Sequence, residues 1–135
     1  MPELRIEASI QKLGDVLTFV DQTLEELDCP MKAQMQLDIA VEEIFVNIAN
    51  YAYAPGTGDA LIRIECGDED RMVHITFIDS GVPYDPLAKE DPDITLSAEE
   101  RQIGGLGIFM VKKNVDEMTY VYEGGENRLT LHKKI

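Results

Sequence analysis

Positive charge is scarce in this 135-residue chain: 12 Lys and Arg stand against 26 Asp and Glu, a formal net charge of −14. Nucleic-acid binding needs a basic face, and an anionic membrane surface attracts one, so neither partner is expected. Cysteine is scarce too. Cys29 and Cys66 have no CxxC spacing and no neighbouring His cluster, which argues against a zinc site and for free thiols in a reducing compartment. No apolar run approaches ~18 residues, and the opening MPELRIEASI has neither the basic nor the apolar region of a secretion signal. A soluble, cytoplasmic protein is expected. Internal repeats, low-complexity tracts and long linkers are also missing, so residues 1–135 read as a single domain.

The chain does have a core to bury. Apolar residues make up 44% of it, which supports a folded domain able to remove roughly two-thirds of its unfolded surface from water. Leu4, Ile6 and Ala8 alternate with charged residues and predict a first strand. Ser9 is a candidate cap for a helix over 10–27, with Leu13, Val16, Leu17, Val20, Leu24 and Leu27 on one stripe. After Cys29-Pro30 a second helix is predicted over 32–53, with Leu37, Ala40, Val41, Ile44, Ile48 and Tyr51 inward, ended by Pro55-Gly56-Thr57-Gly58. Strands over 60–66 and 72–78 form a hairpin around Gly67-Asp68-Glu69-Asp70. A long acidic loop, 79–103, precedes a short helix over 108–115. Strands over 118–123 and 128–133 then close a hairpin around Gly124-Gly125-Glu126-Asn127. The fold class that follows is α+β: a two-layer α/β sandwich with helices on one face of a mostly antiparallel sheet.

Three segments carry chemistry. Glu43 and Asn47 are four apart and share one helix face. Such a pair can hold magnesium through Asn47 while Glu43 polarises a hydroxyl, although on a helix surface Glu and Asn are commonly just solvated. Flanking Phe45, Val46 and Ile48 make this stretch apolar nearly all round, so a carboxylate there is either partly buried or at a cleft. Asp79 ends a strand where a carboxylate can accept from an exocyclic amine, and Gly81 would let a base approach the backbone. An ordinary Asp-Ser-Gly turn is the competing reading. Gly104, Gly105 and Gly107 precede a helix whose free N–H groups suit phosphate, or else they form a hinge for the loop. The segment lacks the Lys-Ser or Lys-Thr of a Walker A loop and the spacing of a dinucleotide fingerprint. His74 and His132 lie in strands without triad partners, and structural roles are expected. Glu90, Asp91 and Asp93 lack EF-hand spacing.

Taken in order, these segments resemble the ATP-binding domain shared by DNA gyrase, Hsp90, sensor histidine kinases and MutL proteins, the Bergerat fold. More narrowly, Asp79-Ser80-Gly81-Val82-Pro83-Tyr84-Asp85-Pro86 is similar to the Asp-x-Gly-x-Pro-Phe-Asp-Pro box of bacterial anti-sigma-factor serine kinases. So are Arg101-Gln102-Ile103-Gly104-Gly105-Leu106-Gly107-Ile108 and Asn127-Arg128-Leu129-Thr130-Leu131. The resemblance implies Glu43 as general base and Asn47 as magnesium ligand. It implies Asp79, Gly81 and Thr130 around adenine, with Gly104, Gly105, Gly107 and Arg101 at the phosphates. Residues 86–103 would be an ATP lid. The implied function is an ATP- and magnesium-dependent serine/threonine kinase that phosphorylates an anti-sigma factor antagonist, binds a sigma factor and forms a homodimer. A non-catalytic ATP-dependent binding module or a slow ATPase is the alternative.

Overall fold

The structure, a computed structural model, describes residues 2–86 and 105–135. Strand β1 (Glu3–Glu7) leads through a 3-10 turn at Ile10–Lys12 into helix α1 (Leu13–Glu26). Ser9 makes no side-chain cap; its carbonyl instead accepts from the Lys12 N–H at 3.0 Å. Helix α2 (Met31–Asn47) follows and runs on into a π turn, Ile48–Ala52, so the predicted long helix is present but changes hydrogen-bond pattern at its end. Strands β2 (Asp59–Cys66) and β3 (Met72–Asp79) form the first hairpin. Helix α3 (Gly105–Asn114) then precedes β4 (Glu117–Glu123) and β5 (Glu126–Lys134). The start of α3 corrects the sequence reading: Gly105 and Gly107 lie inside its first turn rather than before it.

The five strands lie in the order β1-β2-β3-β5-β4, each pair antiparallel. Alternation decides the faces. Ala60, Ile62 and Ile64 on β2, Val73, Ile75 and Phe77 on β3, and Leu129 and Leu131 on β5 point to the helices. There they meet Val16, Val20 and Leu24 of α1 and Leu37, Val41, Ile44 and Phe45 of α2. These helical positions recur at three and four residues, so one stripe of each helix is buried. Phe45 and Phe77 are the largest side chains removed from water, each stabilising by roughly 1.5–3 kcal/mol relative to exposure.

The other sheet face carries a row of threonines, with Thr76 and Thr119 opposite Thr130 in register, and Thr76 and Thr130 hydrogen-bonded at 3.0 Å. His74 and His132 pair there too, Nδ1 to Nδ1 at 2.7 Å. Burial first, then the neighbouring His74, holds His132 below the usual imidazole range. Among the described residues no helix is long and apolar enough to cross a membrane.

The last hairpin is tighter than its sequence suggests. Glu123 pairs with Glu126, leaving only Gly124 (φ 63°) and Gly125 (φ 78°) in the turn. Two consecutive positive φ values suit a two-residue hairpin turn of the right twist, and glycine adopts them without strain. Asn127 therefore belongs to the strand and shares the helix-facing phase of Leu129 and Leu131.

Candidate functional site

A concave, mostly apolar pocket opens where the end of α2, the π turn and the ends of β3 and β5 meet. Ile44, Ile48, Phe77, Ile108 and Leu129 supply its walls, while Asn47, Asp79 and Asn127 bring polar atoms to it. Apolar walls with a few convergent polar groups are the usual form of a small-molecule site. The π turn matters here because one extra residue per turn re-aims the side chains beyond Asn47, a common device at functional sites.

Asp79 is 6% exposed. Its Oδ1 accepts from the Gly81 N–H and from Asn127 Nδ2, both at 2.9 Å, and its Oδ2 makes no hydrogen bond among the described residues. A buried carboxyl group held by one oxygen is left with a fixed acceptor facing the pocket. Asn127 also donates to the Val82 carbonyl at 2.9 Å and, at 3.4 Å, to that of Gly81. Its own Oδ1 accepts from the Tyr84 N–H at 3.2 Å and from the Tyr120 hydroxyl. Burial raises the Tyr120 phenol above its ordinary range, which keeps it a hydroxyl donor. Burial likewise raises Tyr53, whose hydroxyl donates to the Asp59 carbonyl at 2.6 Å and accepts from the Ser80 N–H at 2.8 Å.

Asn47 reaches the same pocket with a buried Nδ2 that has no partner among the described residues. An orphaned amide in the wall of a polar-ended cleft fits a group that arrives with the ligand. Magnesium would bind the Asn47 carboxamide through Oδ1, while Nδ2 is a donor suited to an acceptor oxygen of the ligand. No cluster of three or more His, Cys, Asp and Glu among the described residues could hold a metal by itself. Glu43 lies one turn earlier on α2, against the first turn of α3: a Cβ on Gly107 would stand 2.6 Å from Glu43 Oε2. The carboxylate thus faces a helix N-terminus, where backbone N–H groups have no intrahelical acceptors.

One expected residue sits elsewhere. Thr130 points to the opposite face of the sheet, because β5 alternates and the two-residue turn sets Asn127, Leu129 and Leu131 toward the helices. It bonds Thr76 and does not line the pocket. Gly81 packs against the π turn: an added Cβ would meet the Ala52 carbonyl oxygen at 2.2 Å, and the Val82 N–H bonds that oxygen at 2.9 Å. The glycine lets the loop dock on the π turn. Arg101, Gly104 and the 87–103 part of the expected lid lie outside the described residues, as do Glu90, Asp91 and Asp93.

Asn127 and Tyr120 were missed by sequence reasoning, which placed Asn127 in a turn. The signal was the Gly124-Gly125 pair, which alone suffices for a two-residue hairpin turn and advances the strand to Glu126.

Comparison with known proteins agrees with this fold. The profile of the histidine kinase-like ATPase domain matches residues 6–133. A serine/threonine-protein kinase, BtrW, from Bordetella bronchiseptica is 28% identical over 74% of this chain and 70% of its own length. The serine-protein kinase RsbW of Listeria monocytogenes is 28% identical over 66% of this chain and 59% of its own. A crystal structure of the RsbU and RsbW domains of Rv1364c from Mycobacterium tuberculosis superposes with a TM-score of 0.68, covering 99% of this chain and 32% of that one at 18% identity. At that identity it speaks for the fold. This chain corresponds to only part of the Listeria kinase and to about a third of the mycobacterial polypeptide.

Proposed function

The chain belongs to the histidine kinase-like ATPase domain family, and from that membership we propose that it is an ATP-dependent protein serine/threonine kinase of the anti-sigma type. The observation that carries the reading is the meeting, in one apolar pocket, of an Asp79 oxygen and a buried Asn47 amide nitrogen that have no partner among the described residues. The kinase names of the relatives and the anti-sigma-like box at Asp79–Pro86 support the choice of reaction.

In this reading the adenine lies between Ile48 and Leu129 with its exocyclic amine on Asp79. Asn47 Oδ1 would hold magnesium, whose charge would offset that of the phosphates. The N–H groups of the first turn of α3, including Gly105 and Gly107, face the β- and γ-phosphates. Glu43 takes the proton of a substrate serine hydroxyl as that oxygen bonds to the γ-phosphorus and the bond to the β-phosphate oxygen breaks. Gly104 and Arg101 join the phosphate site by resemblance alone. The same resemblance supplies the partners we propose: a small antagonist protein bearing the serine, a sigma factor, and a second copy of the chain, all in the cytoplasm.

Calorimetric titration of ATP with and without magnesium, on wild type and on Asn47→Ala, tests the site. Since Asn47 Nδ2 has no partner to lose among the described residues, the variant is expected to fold normally and to weaken magnesium-dependent binding by roughly tenfold or more. Wild-type protein that binds no ATP in either condition would overturn the reading.

A further inference from the structure

An acceptor oxygen on Asp79 recognises an amine only if the carboxylate cannot turn away or be satisfied in another manner. What holds it is not on β3. The Gly81 N–H and Asn127 Nδ2 both donate to Oδ1, so that oxygen is occupied and the plane of the group is set. Asn127 is itself held in one amide orientation. Its Nδ2 faces three acceptors, Asp79 Oδ1 and the Val82 and Gly81 carbonyls, while its Oδ1 faces two donors, the Tyr120 hydroxyl and the Tyr84 N–H. Turned over, the amide would set its oxygen against the Asp79 carboxylate and the Val82 and Gly81 carbonyls and its N–H against the Tyr84 N–H, keeping a bond only to the Tyr120 hydroxyl, which accepts as well as donates. Asn127 is 6% exposed, so water cannot substitute for them.

We propose that Asn127, oriented by Tyr120, is the positioning residue that makes this pocket selective for a purine bearing a 6-amino group. The proposal rests on the ATP reading above. With Oδ1 occupied, the pocket offers Oδ2 of Asp79 as an acceptor at the base edge. An amine donates to it; the 6-carbonyl of guanine meets it as a second acceptor and is rejected. The same amide grips the Val82 carbonyl and the Tyr84 N–H, so base recognition and the path of the loop after β3 depend on one side chain.

The test compares ATP with purine riboside triphosphate, which lacks the 6-amino group, and with GTP, by calorimetry on wild type, Asn127→Ala and Tyr120→Phe. Thermal melting checks each protein. Wild type is expected to prefer ATP over both analogues by about tenfold or more. Each substitution is expected to weaken ATP by about three- to thirtyfold and the deaminated analogue by less than twofold, so that selectivity collapses. A loop clamp acting only on pocket shape would weaken both nucleotides equally, and that result overturns the proposal. So does undiminished ATP preference in either variant. Tyr120→Phe removes one hydroxyl and carries the test if Asn127→Ala does not fold. Wild type that binds neither nucleotide removes the ATP reading and this proposal with it, whereas wild type that binds both equally removes only this one.

Discussion

Replacing Gly107 by alanine separates stability from chemistry. The new Cβ would stand 2.6 Å from Glu43 Oε2 and 3.5 Å from its Cδ, so only the tip of that side chain is in the way. To regain an ordinary contact of 3.4 Å the carboxylate must retreat by about 0.8 Å. A flexible side-chain end yields at little cost, while glycine to alanine within a helix stabilises by up to ~1 kcal/mol. The variant should therefore melt at the wild-type temperature or up to roughly 3–5 °C above it. Its catalysis should suffer. A group displaced by about 1 Å from its working position can cost on the order of 10²-fold, and general base catalysis is worth ~10²–10⁴ in all. Single-turnover transfer from γ-labelled ATP to the serine-bearing partner should slow by roughly 10- to 100-fold. If the effect runs through Glu43, the double variant Gly107→Ala/Glu43→Gln should be no slower than Glu43→Gln alone. Wild-type transfer by a more stable Gly107→Ala protein would refute the role given to Glu43.

Thr130→Val should leave ATP affinity within twofold of wild type, since Thr130 faces away from the pocket, and should cost up to ~1 kcal/mol for its lost bond to Thr76, read by urea unfolding. A marked loss of ATP binding would return Thr130 to the site. Asp38 is the second test. Burial, then hydrogen bonding with Asp21 and the negative charge of Asp21, pushes its pKa up to about 7 from 3.8, and its Oδ1 is buried without a partner among the described residues. Between those values the folded chain holds a proton that the unfolded chain has released. Stability from this group is therefore present below pH ~4, falls as pH rises through 7 and stays lost above it. Asp38→Asn should remove that slope, gaining on wild type at pH 8 relative to pH 5 in denaturant titrations. A wild-type-to-variant difference that is the same at both pH values would contradict it.

Local order was legible in the residues. The stripes Val16, Val20, Leu24 and Leu37, Val41, Ile44 specify helices because their spacing matches 3.6 residues per turn, and the alternation through Ala60–Ile64 and Val73–Phe77 specifies half-buried strands. Glu43 and Asn47 were recognisable as a pair because a helix brings fourth neighbours onto one face. The α+β class followed from the same patterns. Periodicity states which residues share a face, but not what that face meets. That β5 inserts between β3 and β4, that a two-residue turn sends Asn127 inward and Thr130 outward, and that Gly81 docks on Ala52 were decided by packing between segments far apart in the chain. The unused oxygen of Asp79 and the orphaned amide of Asn47 belong to the same class of fact. Hydrogen-bond satisfaction depends on every neighbour in space, and those neighbours come together only when the sheet closes against the helices.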